Sequence, residues 1–227
     1  MRPAFRSKNE AVHDLLRQSI IQGVFQPGQR LVIDDLALQM GVSAIPIRES
    51  LRQLEADGFV TIEPYVGATV TGLTTDSVYE IFALLEALEV ICGRIACAKM
   101  NDSDLAALAE MIQRMEASVG DPDDWTQKNK AMHEFICDQA GTALAKKMLQ
   151  KVMDHWDRLR RYYLKDVFAH RIHSAQEEHV RILDAFRSRD PNTVERVIRQ
   201  HNQSALNAYL DYLKSDKSST AINGAAL

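Results

Sequence analysis

Three histidines carry the chemistry that stands out in this chain. His133, His179 and His201 lie on three separate stretches of helical periodicity, each on the same face as apolar residues. His133 lines up with Ile136 and Ala140, and Asn129 precedes it by one turn on that face. His179 lines up with Ile182, Leu183 and Phe186, and His201 with Val194, Val197, Ile198 and Ala205. Apolar stripes face a core, so all three imidazoles are aimed inward. A neutral imidazole is a common ligand of divalent metals, and three of them with an oxygen donor make a site for zinc or nickel. The Asn129 amide oxygen can coordinate but brings no negative charge, so the site holds its ion weakly or stands without one. The plainer reading of each histidine is a hydrogen-bonded core residue. His13, His155, His170 and His173 lack a comparable setting. Three histidines and a metal-bound water also suit hydrolysis, which makes a metal-dependent hydrolase the alternative function. Glu134 and Glu178, the sequence neighbours of two of these histidines, are expected to point away and to supply no general base.

A second set of residues suits DNA. Ser43, Ala44, Ile45, Pro46 and Arg48 open one helix, and Arg52 follows one turn after Arg48. An arginine there can fork onto O6 and N7 of a guanine or onto a phosphate. Ser43 can donate to phosphate, Ala44 and Ile45 can touch a thymine methyl, and Arg52 reaches toward the backbone. The alternative for Arg48 is an ion pair inside the domain, for example with Glu55. Tyr65 is open between packing and DNA contact. A third cluster, Arg158, Arg160, Arg161, Tyr162 and Tyr163, reads either as a solvated helix face or as the source of one arginine turned into a pocket.

These residues need elements to hold them. Val12, Leu15, Leu16 and Ile20 mark a helix that stops at Gly23, and Phe25-Gln26-Pro27-Gly28 is a turn. A short helix over 34–40 ends at Gly41. Ser43 caps the next helix, which has Pro46 in its first turn and ends at Gly58. Residues 59–62 and 68–70 are β-type runs around Pro64-Tyr65-Val66-Gly67 and form a small hairpin. Helix, helix, turn, helix, hairpin spells a winged helix-turn-helix over residues 1–72. From residue 73 to 215 the pattern is helical throughout, with helices near 75–99, 102–118, 122–140, 142–166, 168–188 and 190–214. The fold is therefore mainly α: an N-terminal winged helix-turn-helix and a C-terminal antiparallel bundle of about six helices. Residues 216–227 read as a flexible tail.

Composition excludes more than it selects. A net charge of −4, with seven Lys and Arg against eight Asp and Glu in residues 1–72, offers no global field for nucleic acid. DNA binding must rest on a few placed arginines. Cys92, Cys97 and Cys137 are an odd set in apolar helical surroundings and read as buried free thiols, which suits a cytoplasmic protein. No apolar run is long enough to span a membrane.

The spacing also carries a resemblance. Gly23-x-x-x-Pro27-Gly28-x-x-Leu31, then Leu36-Ala37-x-x-x-Gly41-Val42-Ser43-x-x-Pro46-x-Arg48-Glu49-x-Leu51-x-x-Leu54-x-x-x-Gly58-x-Val60, then Gly67-x-x-Val70, resembles the DNA-binding domain of the GntR family of transcription regulators. His133, Glu178-His179, Ile182-Leu183-Asp184-Ala185 and His201 resemble the FCD ligand-binding domain of its FadR-type branch, in the metal-binding VanR-like subgroup. The resemblance implies a ligand-responsive regulator, a repressor by default. Its partners would be a double-stranded DNA operator, a small-molecule effector and a second copy of itself in a homodimer. It implies that Gly67 lets the wing tip approach the minor groove. It further implies that Asn129, His133, His179 and His201 hold the metal and that the effector is a small organic acid. The chain departs from the pattern in three places. Ala44 stands where an arginine is usual, and Asn129 stands where an Asp is usual. Phe82, four residues before Glu86, stands where an arginine often faces carboxylate ligands. Phe82, Arg158 and Arg161 are then the candidate effector-binding residues.

Overall fold

The computed structural model describes residues 8–163 and 165–215, so the tail expected over 216–227 lies outside the described residues. The chain divides between Leu73 and Thr74 into two compact units. The mainly α architecture expected from the sequence is the one observed.

The first unit opens with α1 (Lys8–Ile21), which buries Val12, Leu16, Ile20 and Ile21. After β1 (Arg30–Leu31) come α2 (Ile33–Met40) and α3 (Ala44–Ala56), then β2 (Val60–Glu63) and β3 (Gly67–Val70). Helix α2 ends on Gly41 at φ 64°, a left-handed conformation in which a side chain would be strained. That turn redirects the chain through Val42 and Ser43 into α3. One face of α3 buries Pro46, Ile47, Ser50, Leu51 and Leu54. The same periodicity leaves Ile45, Arg48, Glu49 and Arg52 in solvent. The wing holds one strand more than the expected hairpin. The strand order is β1-β3-β2, all antiparallel, with Arg30 opposite Thr69 and Val60 opposite Val70. A two-residue strand is too short for an alternating pattern to declare it. Its pairing depends on the return of β3, where the Val70 amide donates to the Gln29 carbonyl.

The second unit consists of α4 (Thr75–Lys99), α5 (Asp102–Glu116), α6 (Pro122–Ala140), α7 (Ala143–Tyr163), α8 (Lys165–Arg187) and α9 (Pro191–Ser215). Thr74 and Ser77 form a capping box on α4, Asn101 and Asp104 another on α5, and Asp121 caps α6 ahead of Pro122. Helix α4 packs against α6, α7 and α9, and α8 packs against α5 and α9. Gly93 lets α4 and α9 approach closely, because a Cβ there would collide with Ile198 Cδ1. Among the described residues no helix is long and apolar enough to cross a membrane.

The expectation of three free thiols is corrected. Cys92 and Cys137 form a disulfide between α4 and α6, with Cα atoms 4.9 Å apart, and Cys97 is the buried free thiol. They are 45 residues apart, so their adjacency arises from the packing of α4 on α6 and leaves no trace in local spacing.

Candidate functional site

Helices α6, α8 and α9 deliver the three histidines to one place. His133 and His179 are buried and His201 nearly so, and one ring nitrogen of each lies within 4.8 Å of those of the other two. Ring centroids are 5.7 Å apart for His133 and His179, 5.9 Å for His133 and His201, and 4.9 Å for His179 and His201. Two of the rings are held from behind by buried carboxylates. Glu89 Oε1 lies 3.1 Å from His133 Nδ1, and Glu178 Oε2 lies 2.7 Å from His201 Nδ1. A carboxylate at Nδ1 favours the tautomer with its proton there and leaves the Nε2 lone pair for an electrophile. His179 stacks on Trp125 and has no hydrogen-bond partner for either nitrogen among the described residues. The Asn129 side-chain oxygen is likewise buried and unpartnered.

Burial favours the neutral form of two of the imidazoles, His133 and His179. Burial lowers the pKa of His133, against the pull of Glu89, and burial together with His201, His133 and Arg171 sets His179 well below its ordinary value. Burial alone would raise Glu178, but hydrogen bonds from His201 and Arg171 hold it below the usual carboxylate range. Glu178 thus faces inward, contrary to the expectation that it points away. Its Cα position beside His179 was the basis of that expectation. A long side chain and the approach of α9 bring its oxygen to His201 instead. Glu89 was not foreseen, because among the acidic residues of α4, Asp76, Glu80, Glu86 and Glu89, no spacing singles it out.

A small cavity of about 50 Å³, partly open to solvent, adjoins the histidines. Its polar end is formed by Glu89, Asn129, His133, Arg171, His201 and Asn202. Its walls include Phe82, Leu85, Trp125, Met153, Trp156 and Tyr209. Of the three candidate effector residues, Phe82 lines the cavity, while Arg158 and Arg161 do not. Arg158 is fully buried elsewhere on α7, and Arg161 pairs with Asp157 and Asp123. Arg160 takes the same two partners. The arginines of this cluster form neither a solvated face nor a pocket wall, because Arg158 is buried and Asp157 and Asp123 draw Arg160 and Arg161 into ion pairs. The guanidinium that does line the cavity belongs to Arg171, which donates to Glu178 and Ser174.

On the first unit, Ser43, Ile45, Arg48 and Arg52 are exposed and Ala44 and Gly67 half-buried. Pro46 is corrected: it lies on the buried face of α3 beside Ile47 and cannot meet a base edge. Ser43 occupies the N-cap position with no side-chain cap hydrogen bond, so its hydroxyl is not spent on the helix. Neither Arg48 nor Arg52 has an ion-pair partner among the described residues, and Glu49 instead takes the Asn9 amide. Tyr65 sits fully exposed at the wing tip, at φ 66°. Gly67 at φ 106° closes the tip, and the Arg30 guanidinium lies against it, 3.5 Å from where a Cβ would be. Arg30 was missed because its strand was.

Comparisons with known proteins match both units of the chain. Residues 8–70 match the model for bacterial regulatory proteins of the gntR family, and residues 80–204 match the FCD domain. The chain is 27% identical over 194 residues to the HTH-type transcriptional regulator YdhC of Bacillus subtilis, covering 83% of this chain and 85% of that one. It is 25% identical over 194 residues to the HTH-type transcriptional repressor GlaR of Escherichia coli, covering 82% and 88%. Its fold is similar to that of E. coli McbR/YncC, with a TM-score of 0.74 at 20% identity over 92% of this chain and all of that one. A putative GntR regulator of Rhodococcus sp. RHA1 has a TM-score of 0.70 at 22% identity over 91% and 99%.

Proposed function

Because the chain belongs to the gntR family of bacterial regulatory proteins and carries an FCD domain, we propose that it is a metal-assisted sensor of a small organic acid and a repressor. That it is a DNA-binding transcription regulator follows from the family itself. The repressor reading is supported by the repressors among its relatives. The metal reading rests on one observation. Three buried polar atoms in the histidine chamber, Asn129 Oδ1 and the two nitrogens of His179 (one a donor and one a lone pair in the neutral ring), have no hydrogen-bond partner among the described residues. Each such atom costs roughly 1–3 kcal/mol if left unsatisfied.

The donor set fits a borderline divalent cation such as zinc or nickel. His133, His179 and His201 would hold it with Asn129, while Glu89 and Glu178 orient two of the rings. When bound, such an ion supplies a docking point for a carboxylate. The effector regulates only by binding two states of the protein with different affinity, which shifts the placement of the DNA-reading helices. The test is equilibrium dialysis and thermal melting of metal-stripped protein against added zinc or nickel. One equivalent bound, with a melting temperature that rises and falls back with chelator, is expected. No bound metal and no stabilisation would remove the metal from the mechanism.

A second copy completes the DNA reader, since operators with two half-sites match a two-fold dimer. Leu84, Leu88, Ile91 and Ile95 follow heptad spacing along α4. Leu84, Ile91 and Ile95 are exposed despite their size and Leu88 is half-buried. We assign this stripe to the homodimer interface. Light scattering is expected to give a dimer for the native chain and a monomer for Ile91→Glu. A native monomer at micromolar concentration, or a dimer that survives the substitution, would contradict the assignment.

A further inference from the structure

We propose that Arg171 is the residue that recognises the effector, and that the effector is a short carboxylate of two or three carbons. The inference rests on the organic-acid reading above and names the anchor and the ligand size for that same cavity. It does not depend on the metal. Its basis is one unused donor. Arg171 lies on α8, only 9% exposed, and lines the cavity. A guanidinium carries five N–H donors in a fixed planar fork and does not lose its charge in a protein. Nη1 donates to the Ser174 hydroxyl and Nη2 to Glu178, while Nε is buried with no hydrogen-bond partner among the described residues. A buried donor left without a partner is costly, and more so on a charged group. On a residue that lines a cavity, such a donor is available to an acceptor from a ligand. An anionic oxygen suits it best, because charge-assisted hydrogen bonds are roughly twice as strong as neutral ones.

The two carboxylates nearby do not take that donor. Glu89 places one oxygen against His133 and accepts from Asn202 on the other. Glu178 meets both Arg171 Nη2 and His201 Nδ1 through a single oxygen. That shared oxygen makes the guanidinium and the His201 ring neighbours, so an acid held by Arg171 lies beside the histidine cluster. The cavity sets the size of the ligand. At about 50 Å³ it has room for roughly four water-sized groups, since one water needs about 10–15 Å³. A benzene ring takes a cavity of about 150 Å³. A two- or three-carbon carboxylate matches the space, and longer or aromatic acids exceed it. Phe82, Leu85, Met153 and Trp156 form an apolar wall. That wall accepts a methyl group, but it would strip water from the outer oxygens of a phosphate without replacing it.

The experiment titrates the full chain, zinc-loaded and metal-free, with acetate, glycolate, hexanoate, benzoate, acetamide and inorganic phosphate by calorimetry. Acetate or glycolate is expected to bind at least about tenfold more tightly than any of the other four. Arg171→Lys keeps a charge for Glu178 but has no Nε–H. It is expected to lose at least about tenfold in acetate affinity, with zinc affinity and melting temperature near native. In the native chain labelled with nitrogen-15 arginine, one Nε–H NMR signal is expected to shift when acetate is added, and this readout stands even if the variant does not fold. Failure to take up zinc removes the metal reading and leaves the metal-free titration to decide. Three results overturn the proposal and leave the organic-acid reading standing: hexanoate or benzoate bound as tightly as acetate, acetate affinity of folded Arg171→Lys within about threefold of native, or no Nε–H signal that moves. Binding of no carboxylate in either form removes the organic-acid reading and this proposal with it.

Discussion

Arg48 and His179 sit at opposite extremes of the same chain. Arg48 projects into solvent from α3 and has no ion-pair partner among the described residues. His179 is wholly buried between Trp125, His133 and His201. The outward residue needs only its own helix to be placed: α3 buries one face, and Arg48 is on the other. The inward residue needs neighbours from α6 and α9 before its nitrogens acquire a role. A surface contact is thus set by local periodicity, whereas a buried polar centre is set by what other helices bring to it. The two regions should therefore respond to substitution differently, sharply and cooperatively inside, modestly and additively outside.

The largest effect is expected in the interior. His179→Ala should weaken zinc binding by more than about 100-fold, measured by competition with a chelating dye, since a ligand is lost outright and even supporting partners are worth 10–100-fold. Affinity within threefold of native would make His179 a packing residue. Glu89→Gln keeps the shape but removes the charge behind His133. Zinc affinity should fall roughly 10–100-fold, and Asn129→Asp in the same protein should restore part of it. Equal affinities across the three proteins would show that Glu89 serves the fold alone.

At the DNA face the expected effect is comparable or smaller. Arg48→Ala should cost about 1–3 kcal/mol of operator affinity and relax preference at one base pair. Arg52→Ala should instead weaken all sequences alike and reduce the salt dependence by about one counterion. Identical profiles for the two variants would erase the distinction between a base reader and a backbone contact.

Acid should separate the units. His133 and His179 are held below their ordinary pKa chiefly by burial, in a chamber that also contains His201, Glu89, Glu178 and Arg171. Below the ordinary histidine value of about 6.5, the unfolded chain binds protons that the folded chain refuses, so stability of the metal-free protein falls as pH falls. Thermal melts between about pH 7.5 and pH 5.5 should show this loss for the native chain and less of it for His179→Ala. A flat profile for both would contradict it. The smallest effect is expected for Ser43→Ala. Loss of a working N-cap costs about 0.5–2 kcal/mol, but this hydroxyl makes no cap hydrogen bond, so stability should change by less than that while DNA affinity drops measurably. A full capping penalty in the melt would assign Ser43 to the helix instead.

Much of the molecule was legible because its signals are local. Gly41 marks the end of α2, Pro122 and Pro191 open α6 and α9, and the apolar stripes fix which way His133, His179 and His201 face. Periodicity also separates Arg48 from the buried face of α3. It should equally have removed Pro46 from the DNA-facing set, since Pro46 shares a face with Ser50 and lies next to Ile47. What the sequence determined by itself was the order and length of the helices, the winged helix-turn-helix and the inward aim of the histidines, because each depends on residues a few positions apart. Only the tertiary structure decided that Glu89 and Glu178 stand behind two of those histidines and that Arg171, not Arg158 or Arg161, reaches the cavity. It also decided that Cys92 meets Cys137 and that Arg30 flanks the wing. Most of these are meetings between elements distant in sequence, and Glu178, a close neighbour of Arg171 on α8, meets His201 only through the packing of α9. Their geometry is set by helix packing and by the strong preference of buried charges for a partner, neither of which leaves a period or a spacing in the chain.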